Sequence, residues 1–123
     1  MSANSNAATV AGPEAYEVFD QAHLAHYTMN IPELAAEVVG LFLTQLPSTL
    51  AMIETAASTA DWKLATHSLK GASASIGARR LQKLALELED LGFDGDRDVR
   101  ALRIQVLKAA VVEFRETVAQ IYP

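Results

Sequence analysis

The sequence predicts an all-α fold: an antiparallel up-and-down four-helix bundle with a short additional N-terminal helix. Three observations carry that expectation. No segment alternates apolar and polar residues with a period of two, so no strand is expected. Apolar residues recur instead every three to four positions, the period of an amphipathic helix. Half of the 123 residues are hydrophobic, with alanine and leucine dominant, only six glycines and four prolines. That balance favours helix.

The elements follow in order. Residues 1 to 12 are small, polar and aperiodic, and are expected to form a mobile tail ahead of one domain spanning 13 to 123. Asp20 is a candidate cap for a short helix from Gln21 to Tyr27. Asn30-Ile31-Pro32-Glu33 reads as the next start, with a capping residue, a proline in the first turn and a glutamate three residues after the asparagine. Ile31, Leu34, Val38, Leu41, Phe42, Leu46, Leu50 and Ile53 then keep one helical stripe. Pro47 lacks an N–H and should kink this helix rather than split it, because the stripe holds its phase across the ring. Asp61 is expected to cap the following helix and Gly77 to end it. Leu81, Leu84, Ala85, Leu88 and Leu91 form the next stripe, which Gly92 stops. Phe93-Asp94-Gly95-Asp96 is turn chemistry with Asp96 as cap, and Val99, Leu102, Val106, Ala110, Phe114, Val118 and Ile121 mark the last helix. Four such helices with short links make a bundle.

Composition narrows the function. A net charge of −5 argues against a general nucleic-acid binder, which needs cations for phosphates. There is no cysteine, so no disulfide framework and no thiolate metal site. No apolar run approaches the ~20 residues of a bilayer span, and Met1 to Asn6 lacks the pattern of a signal peptide. A stand-alone cytoplasmic monomer without a membrane role is expected. His23 and His26 share a helical face, but a bundle metal site would want Glu-x-x-His motifs on two helices, so both are read as surface residues and no metal is expected.

The stretch Thr66-His67-Ser68-Leu69-Lys70-Gly71 stands apart. At about 100° per residue, Ala65, Leu69, Ala72 and Ile76 fall on one side of the helix, while His67, Lys70, Gly71 and Ala74 fall on the other. The imidazole is thereby offered to solvent. Neutral imidazole is a good nitrogen nucleophile near neutral pH. If one ring nitrogen accepts a phosphoryl group, the other keeps its proton and wants an acceptor. Lys70, one turn on, can face the phosphoryl oxygens, and Gly71 removes a side chain that would shield the ring. No acidic residue occurs from Trp62 to Leu86, whereas Lys63, Lys70, Arg79, Arg80 and Lys83 all lie there. The result is a basic patch around His67 on an acidic protein.

From His67-Ser68-Leu69-Lys70-Gly71 through Gly77-Ala78 to Leu81, Leu84, Leu88 and Glu89, the sequence resembles the histidine-containing phosphotransfer (HPt) domains of multistep two-component phosphorelays. The likeness covers most of residues 18 to 92. It implies that His67 is the phosphoacceptor, that Lys70 steadies the phosphoryl group, that Gly71 admits the partner, and that Glu89 orients the second ring nitrogen. It implies as partners the receiver domains of response regulators and of hybrid sensor histidine kinases, which supply the aspartate and the Mg²⁺; no cofactor of the chain's own is expected. Lys63, Ala74, Arg79, Arg80 and Lys83 are candidate receiver contacts. No Gly-rich phosphate loop precedes a helix, so autophosphorylation from ATP is not expected. Two other classes compete: a bundle that docks receivers without taking up phosphate, and an enzyme using His67 as general base. The second lacks a serine held by the imidazole, since Ser68 points elsewhere and Ser75 lies two turns away.

Overall fold

A computed structural model of the chain describes residues 16–123. The expected tail, residues 1 to 12, and the expected domain start at residue 13 lie outside the described residues. Within them the chain is all helical: α1 (Gln21–Tyr27), α2 (Pro32–Glu54), α3 (Thr59–Ile76), α4 (Arg79–Leu91) and α5 (Arg97–Ile121). The four long helices pack in a ring, each on the next, with α5 closing back on α2. Helix α1 lies across α2 and α3. The α3–α4 contact is the most extensive, and α3 stands diagonally across from α5, with the Arg100 guanidinium over the Trp62 ring between them.

Local chemistry accounts for the helix ends. The Asp20 carboxylate accepts from the His23 amide at 3.0 Å, as expected of a cap. Asp96 accepts from the Asp98 and Val99 amides, both at 2.9 Å. Gly77 sits at φ +86° and Gly92 at φ +78°, and each closes the helix before it. Two expected caps are corrected. Asn30 does not cap α2: with Met29 it takes a left-handed conformation that closes the α1–α2 turn, and Ile31 flanks Pro32 without a side-chain bond. Asp61 does not cap α3 either. Ser58 does, its Oγ accepting from the Asp61 amide at 3.1 Å, while Asp61 sits in the first turn where the helix dipole favours an anion.

Helix α2 runs unbroken through Pro47. A proline leaves the carbonyl four residues earlier without its intrahelical donor. That carbonyl, on Leu43, accepts instead from Arg115 Nη2 at 3.1 Å, so α5 makes good the bond that Pro47 forfeits. By length and composition α2 could also cross a membrane, contrary to the expectation that no segment could. In the bundle its Ala35, Val39, Phe42, Leu46 and Ile53 face the core.

The core runs through Leu24, Phe42, Leu46, Ile53, Trp62, Leu69, Leu81, Leu88, Leu107, Phe114 and Val118. Several residues of the expected stripes are outside it. Ile31 at the entry to α2, Leu41 on α2, Ala72 on α3, and Val99, Leu102 and Val106 on α5 are exposed. The buried line of α3 is Trp62, Ala65, Thr66, Leu69, Ser73 and Ile76, rotated slightly from the expected one. Trp62 does more than fill space. Its indole N–H donates to the Leu88 carbonyl at 3.0 Å and pins the last turn of α4 against α3. Glu89 is the next residue.

Candidate functional site

Helix α3 presents His67 to solvent, with two thirds (66%) of its side chain accessible. Across the α3–α4 seam Glu89, only 17% accessible, binds two partners at once. Its Oε2 lies 3.1 Å from His67 Nδ1, and its Oε1 accepts from Lys70 Nζ at 2.5 Å. The ammonium of Lys70 holds the Glu89 carboxyl below its ordinary pKa, with desolvation opposing and the His67 bond adding to the effect. An ionised carboxylate can only accept, so the imidazole donates from Nδ1. In the neutral ring the lone pair is then on Nε2, the nitrogen that Glu89 does not bind.

The rest of the outward face is open. A Cβ built on Gly71 would meet nothing among the described residues within 4 Å, so packing against them does not require a glycine there. Lys63 is exposed one turn before His67, and Ala74 is half-buried two turns after it. Leu64, which the sequence stripe did not single out, is 60% exposed on the same face. Its signal was its phase, since it falls between the buried Trp62 and Ala65 and cannot join them. His23 is half-buried, and its Nε2 lies 3.0 Å from the Ser75 carbonyl in an exposed bond that ties α1 to the last turn of α3. His26 is exposed, and no group of three His, Cys, Asp or Glu side chains suited to a metal ion occurs among the described residues.

The basic patch divides in two. Lys70, Arg79 and Lys83 line a shallow cleft of about 320 Å³ with Tyr16 and Gln82, immediately beside the Glu89 network. Arg79 also holds Asp20 at 3.2 Å, and Lys83 lies over the Tyr16 ring. Arg80 belongs elsewhere. Nine residues from Glu89, it projects from the opposite side of α4 and pairs with Glu113 of α5 at 2.5 Å. It also bonds the Tyr16 carbonyl, and its amide donates to the Glu17 carbonyl. The sequence groups it with the basic patch around His67, whereas its side chain lies toward α5.

An outward imidazole, backed by a carboxylate and an ammonium on a helical bundle, agrees with a comparison against protein families: the Hpt domain matches residues 37–119. The chain belongs to the HPt family. No curated protein and no solved structure matches it. The matched region starts inside α2 and continues nearly to the end of α5. It thus includes the last helix, which the motif-based resemblance did not reach. HPt domains are helical bundles that carry phosphoryl groups in two-component phosphorelays. They are phosphocarriers rather than kinases, and they interact with receiver domains of response regulators.

Proposed function

We propose that this HPt protein takes a phosphoryl group onto His67 Nε2 from the aspartyl phosphate of one receiver domain and passes it to the aspartate of another. The observation that supports this most is the Glu89 bridge. With Nδ1 protonated and bonded to Glu89, the Nε2 lone pair attacks phosphorus. The new P–N bond forms as the P–O bond to the receiver's aspartate breaks, and that aspartate leaves as a carboxylate. The proton on Nδ1 stays in place, so the phosphorylated ring is cationic and shares its charge with Glu89. A cationic ring is a good leaving group, which makes the reverse transfer accessible by the same geometry. No proton has to move in either direction.

Lys70 steadies the phosphoryl oxygens once they arrive, dividing its charge between them and Glu89. Gly71 gives the receiver room to bring its aspartate to the ring, and Leu64 with Ala74 provides apolar contact beside it. Lys63, Arg79 and Lys83 complement an acidic receiver surface and speed encounter at low salt. Mg²⁺ comes with the receiver. The chain acts in the cytoplasm. The bundle is read as antiparallel up-and-down: Glu54 pairs with Lys108 while Leu43 meets Arg115, and Glu87 pairs with Arg103 while Arg80 meets Glu113.

Mixing the protein with a panel of phosphorylated receivers tests the function. Rapid appearance of acid-labile phosphate on this chain, and its onward passage to a second receiver, is the expected result. Binding without uptake would favour a docking module instead.

A further inference from the structure

A second concave surface lies away from His67. It is an open groove of about 680 Å³ between α4 and α5, with Leu84, Val99, Leu102, Val106 and Ala109 in its lining. Leu102 is 65% exposed, and Val99 and Val106 are exposed beside it. These are the residues that the sequence counts as interior, in a chain it expects to be a monomer. Their spacing along α5 is three, four, three, the seam of a coiled coil. Nothing in the ring of helices covers that seam, because α5 packs on α4 and, less extensively, on α2.

We propose that this groove is the contact between two copies of the chain, related by a two-fold axis level with Ile104. The seam is complementary to itself about that point. In an antiparallel crossing Leu102 of one copy meets Val106 of the other, and Val99 meets Ala109, so each larger side chain has a smaller one opposite. The charges agree. Those lining the groove are two cations and two anions, already joined across it as Arg80–Glu113 and Arg103–Glu87. A second copy therefore approaches a locally neutral strip, although the whole chain bears −5. The seam spans fewer than two heptads, so the dimer is weak and forms with rising concentration. His67 stays free in it, since α3 stands diagonally across the ring from α5. The proposal goes beyond phosphotransfer and does not depend on it.

The test uses the full chain alone. Light scattering after size exclusion, over a wide range of concentration, should show the mass rising toward twice that of the chain. Leu102→Asp, at an exposed position, should keep its helicity and hold the single mass throughout. The chain has no native cysteine, so Val99→Cys mixed with Ala109→Cys should give a mixed disulfide dimer under mild oxidation. A single mass at every concentration overturns the proposal, including the case where some other partner fills the groove. So does a dimer that survives Leu102→Asp and gives no mixed disulfide, because the copies then meet elsewhere. Phosphoryl uptake is assayed separately: Leu102→Asp should accept phosphate as the unmodified chain does. Failure of both to accept would count against the phosphorelay reading and leave the dimer standing.

Discussion

The two faces of α3 are built from the same helix and answer to different demands. The inner face, Trp62, Ala65, Thr66, Leu69, Ser73 and Ile76, is buried and packs chiefly on α4 and α2. Small residues let α4 come close, and the Trp62 bond to Leu88 sets its register. The outer face holds His67 in solvent and a glycine that no neighbour requires. A mid-helix glycine costs ~1 kcal/mol relative to alanine. On the inner face such a cost would be set against closer packing; on the outer face no contact among the described residues offsets it. The comparison teaches that stability is concentrated on one side of the helix and access on the other. Glu89 is the link between them, since the core places it and the site uses it.

Substitutions on the two faces should therefore separate folding from phosphotransfer. His67→Gln is expected to abolish phosphoryl uptake while helicity and melting stay almost unchanged, as checked by labelling alongside circular dichroism. Trp62→Ala should do the reverse, destabilising by ~3–5 kcal/mol in urea unfolding, the usual loss for truncating a large buried aromatic. Uptake by the fraction that remains folded should persist. A Trp62 variant of unchanged stability, or a His67 variant that unfolds, would break the distinction between the faces.

Much of this arrangement was legible in the sequence because its signals were local. Asp20, Gly77, Gly92 and Asp96 each act within a few residues, so type and position suffice to identify them. Ser58 is the cap that competes with Asp61, and Ser58-Thr59-Ala60-Asp61 has the spacing of a capping box. What could not be read was which neighbour covers which stripe. Leu41, Val99, Leu102 and Val106 keep helical phase, yet they are exposed among the described residues. Arg80 was assigned to the patch by its place in the chain, whereas Glu113 and the carbonyl of Tyr16 draw it to the other side of α4. Pairings across 33 and 64 residues leave no local trace.

Smaller effects sharpen the same comparison. Gly71→Gln should slow transfer from a phosphorylated receiver by about tenfold or more, while stability rises by a few tenths of a kcal/mol to ~1 kcal/mol. Unchanged transfer would mean that partners do not approach over this turn. Glu89 links function to pH. Its folded pKa is depressed, so its stabilising contribution is present above its unfolded value and is lost as pH falls through the folded one. Urea unfolding should accordingly show the stability gap between the native chain and Glu89→Gln narrowing on acidification below the ordinary carboxylate range. Ser73 tests the inner face most gently. Its hydroxyl is buried and the only buried side-chain polar atom among the described residues without a hydrogen-bond partner. Ser73→Ala should therefore raise stability, by ~1 kcal/mol.

Nitrogen- and phosphorus-detected NMR of the phosphorylated protein, labelled at histidine, examines the chemistry at the ring itself. Phosphorus bonded to Nε2 of His67, with Nδ1 still protonated, is the expected spectrum. Phosphorus on Nδ1, or on His23 or His26, would contradict the role given to Glu89 and with it the proposed transfer.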